Sequence, residues 1–303
     1  MNKPVGRGFF FAILAFFLWG ILPLYWKLLI AVNPVHILSF RILLSLALVA
    51  IILLAQKKFS WLTVFTRPKK AAFLMLAGLL ICLNWGIYIW AVNHGFTIQA
   101  SLGYYINPLI SIIFGLLFFR ERLLPLQWAA VAIAFTGVLL LTVLSGTLPW
   151  ISLVLALTFG FYSLLKKLIA LPALESLGSE TLAAAPVGIV LLLFSFGGAE
   201  GGSPLAFTGF DNLAYLGSLP LHTLLILMLS GVVTMLPLYF FARAARLIPL
   251  SALGFTQFIG PTLQFVLGLF VFGEDFSIQY FIAFAFIWTA VIVYIVSLRR
   301  NTR

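Results

Sequence analysis

Apolar residues run along the chain in long blocks that short polar stretches interrupt. Each block is about as long as the ~20 residues that an α-helix needs to cross ~30 Å of hydrocarbon. An amphipathic helix of a soluble protein would instead alternate polar and apolar faces. The pattern therefore predicts ten membrane-spanning helices, at Gly8–Ile30, Val35–Leu54, Ala71–Val92, Thr97–Phe119, Leu126–Ser145, Leu148–Leu165, Gly178–Gly197, Pro220–Ala242, Leu250–Phe272 and Ile278–Leu298.

Composition narrows the fold class further. Of the 303 residues, 63% are hydrophobic and 8% are charged, with a mean hydropathy of +1.18. Soluble domains carry about a quarter charged residues, so we predict an all-α integral membrane protein. The lone Cys82 falls in the third predicted span, which argues against an intrachain disulfide or a thiolate metal site. We expect no cofactor and no metal.

Basic residues are distributed unevenly between the predicted connections. If the N-terminus is inside, all but two of the 18 Lys and Arg residues fall in cytoplasmic segments. Basic segments resist translocation, so both termini are predicted to be cytoplasmic. The net charge of +11 then reflects orientation rather than nucleic-acid binding. The predicted outer connections carry acidic residues instead, namely Glu200, Asp211, Glu274 and Asp275.

Two segments of the chain resemble each other. Ala100–Pro108 and Ser251–Pro261 open the predicted fourth and ninth spans, and a shared spacing follows at an offset of 153 residues: Pro108, Gly115 and Glu121 match Pro261, Gly268 and Glu274. Because each half holds five spans, residues 1–147 and 148–303 are predicted to be inverted repeats. Such repeats bind solute near the bilayer midplane and permit alternating access. Chance similarity among Leu- and Gly-rich helices is the alternative.

Several motifs resemble those of a known family. Asn84-Trp85, Ile89–Asn93, Ala100–Leu109, Phe258–Thr262 and Phe284–Trp288 are similar to the RarD-like branch of the EamA transporters, within the drug/metabolite transporter superfamily. The resemblance implies two five-helix EamA repeats, a bacterial inner-membrane location and export or exchange of small solutes. It leaves the physiological substrate open.

The chain departs from the family pattern at two acidic positions. The second span of RarD-like proteins commonly begins Glu-Ile-Leu-x-His-Arg, whereas this chain has His36-Ile-Leu-Ser-Phe-Arg41. The family's glutamate before Ala-Ser-Leu-Gly is Gln99 here. These replacements weaken a proton relay carried over from relatives, and Glu180 is the one candidate left for proton coupling. Facilitated diffusion and exchange stay open as alternatives.

Charged and polar residues inside the predicted spans suggest a solute path. Lys27 and Arg41 lie in hydrocarbon-length segments, where a charge normally faces a cavity or a partner. Snorkelling to the interface is the alternative for both Lys27 and Arg41, and interhelical hydrogen bonding is the alternative for the polar residues. The predicted path residues are Trp19, Lys27, Arg41, Asn84, Trp85, Tyr88, Asn93, Gln99, Ser101, Tyr104, Tyr105, Asn107, Gln257 and Gln264, with Pro108 and Pro261 as gating residues.

The sequence thus favours an inner-membrane secondary transporter of small metabolites or drugs, with amino-acid-like or carboxylate-bearing solutes suited to its surplus positive charge. An intramembrane enzyme is disfavoured, because the chain has neither His-Glu-x-x-His nor Gly-x-Ser-x-Gly. It also has no Walker motif, so no ATPase is implied. A receptor or scaffold without transport stays open. The expected partners are the solute and the lipid bilayer, and the sequence does not determine the oligomeric state.

Overall fold

Long helices dominate the computed structural model, which describes residues 3–93, 96–144, 150–169, 171–196, 205–207, 216–273 and 278–300. Helices α1 to α12 are Lys3–Lys27, Pro34–Ala55, Ser60–Thr63, Pro68–Asn93, Thr97–Phe119, Pro125–Leu144, Trp150–Leu168, Ala173–Leu193, Leu221–Leu247, Leu250–Gln257, Ile259–Leu267 and Ile278–Arg300. A 3₁₀ turn, Val64–Thr66, follows α3, and a π-helical turn, Gly268–Phe272, continues α11. Strands β1 (Phe194–Phe196) and β2 (Leu205–Phe207) form an antiparallel pair.

The helices have the length and composition of membrane spans. Eight described segments are long and apolar enough to cross a bilayer: α1, α2, α4, α5, α7, α8, α9 and the continuous segment Leu250–Phe272. Shorter apolar stretches, Pro125–Leu140 and Phe284–Leu298, lie in α6 and α12. Large apolar side chains such as Leu117, Phe135 and Ile292 are exposed on the helix surfaces. Lipid can cover such a surface, so the chain is a membrane protein.

Each predicted span overlaps a helical segment, although the predicted ends differ from the helix ends by up to five residues. The seventh predicted span, Gly178–Gly197, was wrong at both ends, because α8 ends at Leu193 and Phe194–Phe196 form β1. The helix begins at Ala173, five residues before the predicted Gly178. Its first turns contain two polar residues with partners on α3, namely Glu175, which the hydropathy pattern placed outside the span, and Ser179, which lies just inside the predicted start. They are buried because α3 supplies partners: the Ser60 hydroxyl donates to Glu175 Oε2 at 2.6 Å, and the Ser179 hydroxyl donates to the Trp61 carbonyl at 2.7 Å.

Basic residues assigned to cytoplasmic connections lie instead in helices. The last turn of α7 contains Lys166 and Lys167, and that of α9 contains Arg246. Cations are favoured there by the partial negative charge of a helix C-terminus. The prediction that Lys166 lies in an exposed connection was wrong, because this residue is in a helix and is only 3% exposed. The predicted outer acids, Glu200, Asp211, Glu274 and Asp275, lie outside the described residues.

The largest helix contacts of the chain can be matched in pairs between its two halves. Helix α1 packs on α9 and α11, while α7, its counterpart, packs on α4 and α5. Helix α2 contacts α9, and α8 contacts α4 in the same way. The remaining large contacts, α2 with α8, α5 with α10 and α6 with α12, join equivalent helices.

The two halves also end equivalent helices with the same local geometry. Arg120 follows α5 in the left-handed region with φ 50°, and its N–H bonds back to the Gly115 carbonyl. Gly273, at the 153-residue offset, has φ 66°, and its N–H bonds back to the Gly268 carbonyl. Residues in the left-handed region commonly terminate helices. Here two of them lie 153 residues apart and bond to carbonyls that are also 153 residues apart, so the similarity between the two segments includes the backbone conformation.

Candidate functional site

A cavity of about 130 Å³ lies between α1, α2, α4, α5, α7 and the α10–α11 segment. Ten of the residues predicted from the sequence line it: Trp19, Arg41, Asn84, Trp85, Tyr88, Tyr104, Asn107, Gln257, Pro261 and Gln264. The sequence analysis missed Phe16, Trp26 and Phe159, which also contribute to the wall. Aromatic residues are so numerous in this chain that no spacing distinguished these three from packing residues.

Arg41 is the only charged residue among those that line this cavity. Its Nε donates a hydrogen bond to Thr234 Oγ1 at 3.1 Å. The guanidinium carbon lies 4.1 Å from the ring centroid of Trp85 and 4.6 Å from that of Trp26, within cation–π range. No described carboxylate comes within 4.0 Å of Arg41 to form an ion pair. Because guanidinium stays protonated, the cavity contains a fixed positive charge held by two indole rings.

Aromatic rings form the apolar part of the wall. Trp19 contacts Phe16 and Phe159 with ring centroids 5.4 and 5.8 Å apart. Across the cavity, Tyr88 and Tyr104 meet edge to face at 5.6 Å. Aromatic faces and edges suit a flat or amphipathic solute. The cavity thus combines one cation with an extensive aromatic surface.

Amide side chains cross-link the helices around the cavity. Asn84 Nδ2 donates to the Leu155 carbonyl and to Thr158 Oγ1, both at 2.8 Å. Gln257 Nε2 donates to Ser111 Oγ at 2.8 Å, and Gln264 Nε2 donates to the Trp19 carbonyl at 3.3 Å. Interhelical hydrogen bonding therefore occupies these amide nitrogens.

One amide oxygen beside the cavity stays available as an acceptor. The Oδ1 atom of Asn107 is buried without a hydrogen-bond partner in the described part of the chain. Such an acceptor is costly to bury unless something donates to it. Asn107 lies among the cavity-lining residues, so its orphaned oxygen is suited to a donor group on a solute.

The two repeat-related prolines alter the backbone beside the cavity. Proline has no N–H, so Pro108 cannot bond the carbonyl of Tyr104, and Pro261 cannot bond that of Gln257. Helix α5 stays continuous through Pro108, whereas α10 ends at Gln257 and α11 begins at Ile259. Pro261 lines the cavity. Pro108 is buried against α10, and a Cβ added at Gly254 of α10 would lie 2.7 Å from the Pro108 carbonyl oxygen.

Some predicted residues lie away from the cavity. Lys27 is exposed at the end of α1, with its ammonium 4.5 Å from the ring centroid of Phe272. Tyr105 packs on Phe284 of α12 at 5.2 Å. For three further residues the structure describes the backbone but not the side chain, and these are Asn93, Gln99 and Ser101.

Glu180 forms a buried ion pair that the sequence analysis missed. Its Oε2 lies 2.5 Å from Lys166 Nζ, and the side chains are 3% and 1% exposed. Lys166 also donates to Ser176 Oγ at 3.0 Å. A smaller void of about 20 Å³ separates this pair from the cavity, with Arg41 and Glu180 both in its lining. The sequence analysis counted Lys166 among the basic residues that orient the chain in the membrane, because its position in the sequence does not indicate a partner on α8.

A second carboxylate, Glu121, caps a helix of the other half. Its Oε1 accepts from the Leu250 N–H at 2.7 Å and from Lys167 Nζ at 3.2 Å. Its Oε2 accepts from the Ser251 N–H at 2.9 Å and from the Ser251 hydroxyl at 2.6 Å. Burial alone would raise the pKa of Glu121, but the hydrogen bonds from Ser251 and Leu250 and the charge of Lys167 outweigh it and lower the pKa. The carboxylate is therefore ionised at neutral pH.

Known proteins show extensive similarity to this chain. The EamA-like transporter family model matches residues 6–143. The "Uncharacterized transporter YojE" of Bacillus subtilis is 40% identical, over 95% of this chain and 93% of the relative. "Protein RarD" of Escherichia coli K12 is 37% identical, over 97% and 95%. "Chloramphenicol-sensitive protein RarD" of Pseudomonas aeruginosa is 29% identical, over 95% and 93%.

A solved crystal structure matches at the level of the fold. It superposes with a TM-score of 0.68 at 20% sequence identity and covers 100% of both chains. The motifs around Asn84, Ala100–Leu109 and Phe258–Thr262 lie on the helices that form the cavity, and the full-length relatives carry transporter or RarD names. The chain belongs to the EamA-like transporter family, in its RarD-like branch, and is a membrane transporter of the drug/metabolite transporter kind.

Proposed function

We propose that this transporter binds a small anionic or zwitterionic solute at Arg41 and carries it by alternating access. The unpaired guanidinium in the central aromatic cavity is the observation that supports this proposal. A partly buried cation without a carboxylate partner in the described part of the chain favours an anion that enters with its charge. Charge-assisted hydrogen bonds from Arg to a carboxylate are among the stronger polar contacts in proteins.

The remaining cavity wall suits the rest of such a solute. Trp19 and Phe159 can pack against an apolar or aromatic body. The orphaned Asn107 oxygen can accept from an amino or amide group. Amino-acid-like solutes have all of these features, and aromatic carboxylates have the charge and the apolar body.

We further propose ten spans in two inverted repeats, residues 1–147 and 148–303, with both termini in the cytoplasm of a bacterial cell and the chain in its inner membrane. The paired helix contacts and the matched turns at Arg120 and Gly273 support the repeat. The cavity lies between helices of both halves, where rocking of one half on the other would change its access. Export or exchange driven by a gradient, rather than enzymatic chemistry, is the function we assign. The proposal includes proton coupling through Glu180 as one mode of transport, beside facilitated diffusion and exchange.

Replacement of Arg41 tests the proposal. Arg41→Gln is expected to lower the apparent affinity for benzoate or L-phenylalanine by at least about tenfold, because one charged hydrogen-bonding group is lost. Arg41→Lys should retain part of the affinity, since ammonium keeps the charge but loses the planar stacking on Trp26 and Trp85. Counterflow of the labelled solute into proteoliposomes measures the effect.

Arg243→Gln is the matched control. Arg243 also stacks on an aromatic ring, 4.1 Å from Phe11, and bonds the Tyr239 hydroxyl, but it lies outside the cavity. Its replacement should leave counterflow unchanged. Equal counterflow in wild type and Arg41→Gln would contradict an anion site at Arg41. A lack of counterflow for every carboxylate solute in the wild type would favour a receptor or scaffold instead.

A further inference from the structure

We propose that Glu121 is the cytoplasmic gate residue of the transport cycle, a carboxylate latch that holds the inner side of the cavity closed and must release α10 for the solute to pass. This inference rests on the proposed function, because it assumes alternating access and a cytoplasmic N-terminus. It assigns a role in transport to a residue outside the solute cavity.

The latch joins the two halves of the chain at a helix start. Glu121 follows α5, and its two oxygens accept the first backbone N–H groups of α10 together with the Ser251 hydroxyl. Pro249, the residue that precedes α10, supplies no side-chain cap of its own. The free N–H groups and the positive end of the helix dipole make this a favourable place for a carboxylate.

Charged and titratable groups from several elements face the Glu121 carboxylate. Lys167 at the end of α7 donates to Glu121 Oε1 and, at 2.9 Å, to the Ile248 carbonyl in the connection between α9 and α10. Tyr294 of α12 interacts electrostatically with the same carboxylate, and Arg120 and Arg122 flank it in sequence. The latch therefore ties α5 of the first half to α7, α10 and the preceding connection of the second.

Close helix packing surrounds the latch. A Cβ at Gly115 would lie 2.6 Å from Glu121 Oε2 and 3.0 Å from the Ser251 nitrogen. A Cβ at Gly254 would lie 2.7 Å from the Pro108 carbonyl oxygen. Glycine on each helix thus permits α5 and α10 to meet with their backbones in near contact, which leaves no channel between them.

The cavity begins a short distance beyond this contact. Gln257, which lines the cavity, lies six residues from Ser251, or about 9 Å along a helix. Ser111, Ile112 and Leu253 between them are all 0% exposed. At the opposite end of the cavity the side chains of Trp26 and Tyr88 are partly exposed. The structure is therefore closed between α5 and α10, and separation of these two helices would open the latch side to a solute.

Separation of α5 from α10 must break the Glu121 contacts as a set. The two oxygens accept three hydrogen bonds from α10 and one from Lys167, all of which end on one side chain. Removal of the charge is therefore expected to shift the equilibrium toward the inward-open form by at least about tenfold, because it weakens contacts that exist only in the closed form.

Alkylation of a reporter cysteine tests the latch without any solute. Ser111→Cys, in a Cys82→Ala background, places a thiol between the latch and the cavity. The rate of its reaction with a membrane-impermeant methanethiosulfonate is measured in inside-out and in right-side-out vesicles. Adding Glu121→Gln should raise the rate in inside-out vesicles by at least about tenfold and should lower it or leave it unchanged in right-side-out vesicles.

Glu175→Gln is the matched control, because Glu175 also accepts a serine hydroxyl at 2.6 Å near a helix start but joins α8 to α3 rather than α5 to α10. It should leave both rates unchanged. An unaltered inside-out rate in folded Glu121→Gln, or an equal rise from both sides, would overturn the gate assignment. If Glu121→Gln cannot be purified folded, Ser251→Ala, which keeps the carboxylate, is judged by the same criterion with a smaller expected rise.

The outcome is independent of the Arg41 experiment. A gate shift without Arg41-dependent counterflow would refute the solute site alone. Arg41-dependent counterflow without a gate shift would refute the latch alone.

Discussion

Replacing Glu180 with glutamine is expected to lower the free energy of unfolding by about 3–5 kcal/mol. The substitution leaves the ammonium of Lys166 without a carboxylate in a site that is 3% exposed, where only the neutral oxygens of Ser176 and of the new amide can accept from it. An uncompensated buried charge is costly because the protein interior solvates it poorly. Lys166→Met should have a similar effect by stranding the carboxylate. Denaturant titration of the detergent-solubilised protein, followed by tryptophan fluorescence, measures the difference.

The double variant Lys166→Met/Glu180→Leu distinguishes a stranded charge from lost packing. It removes both charges and replaces them with apolar groups of similar length, so most of the stability should return. Exposed Lys58 supplies the control, since Lys58→Met should change stability by no more than about 0.5 kcal/mol. If the double variant is as unstable as the sum of the two single variants, the ion pair is not the source of the effect.

Gly231→Ala is expected to cost about 1–3 kcal/mol and to weaken solute binding at the same time. A Cβ at this position of α9 would lie 2.6 Å from Leu44 Cβ and 2.7 Å from the Leu44 backbone carbon on α2. A backbone atom cannot relieve the overlap by a change of rotamer, so α2 must move away from α9. Arg41 lies about one turn from Leu44 on α2, and Thr234 lies about one turn from Gly231 on α9. Movement of α2 therefore lengthens the 3.1 Å hydrogen bond from Arg41 to Thr234. Unfolding titration and benzoate counterflow on the same preparation measure both effects.

Gly86→Ala is the control for this substitution. Among the residues that the structure describes, no atom outside its own helix lies within 4 Å of a Cβ at that position. The exchange should be neutral or raise stability by up to about 1 kcal/mol, because alanine favours the helix. Equal stability of the Gly231→Ala and Gly86→Ala variants would mean that α2 and α9 do not require their close approach.

Hydropathy identified most of the helices because lipid requires a long run of apolar residues in every span. It failed at Glu175, which accepts a hydrogen bond from Ser60 of α3, because no local sequence pattern indicates that partner. The cavity was largely predictable, since polar residues such as Asn84, Asn107 and Gln257 are conspicuous in apolar spans.

Partner identity was less accessible to the sequence. Lys166 and Glu180 lie on consecutive helices, and Glu121 and Ser251 are 130 residues apart, so their contacts depend on how the helices assemble. Glu121 was noticed only as part of a repeated spacing. Its function as a helix cap depends on the position of α10, which helix prediction alone does not specify.

The Lys166–Glu180 pair has a consequence for biosynthesis. A charged side chain that enters the hydrocarbon alone is opposed by up to roughly 2.5–3.5 kcal/mol on insertion scales, the cost at the centre of a span. Because the two residues lie on the consecutive helices α7 and α8 and meet at 2.5 Å, each neutralises the other's charge. We expect the translocon to release these helices into lipid together, as a preformed hairpin, before the rest of the second half is synthesised.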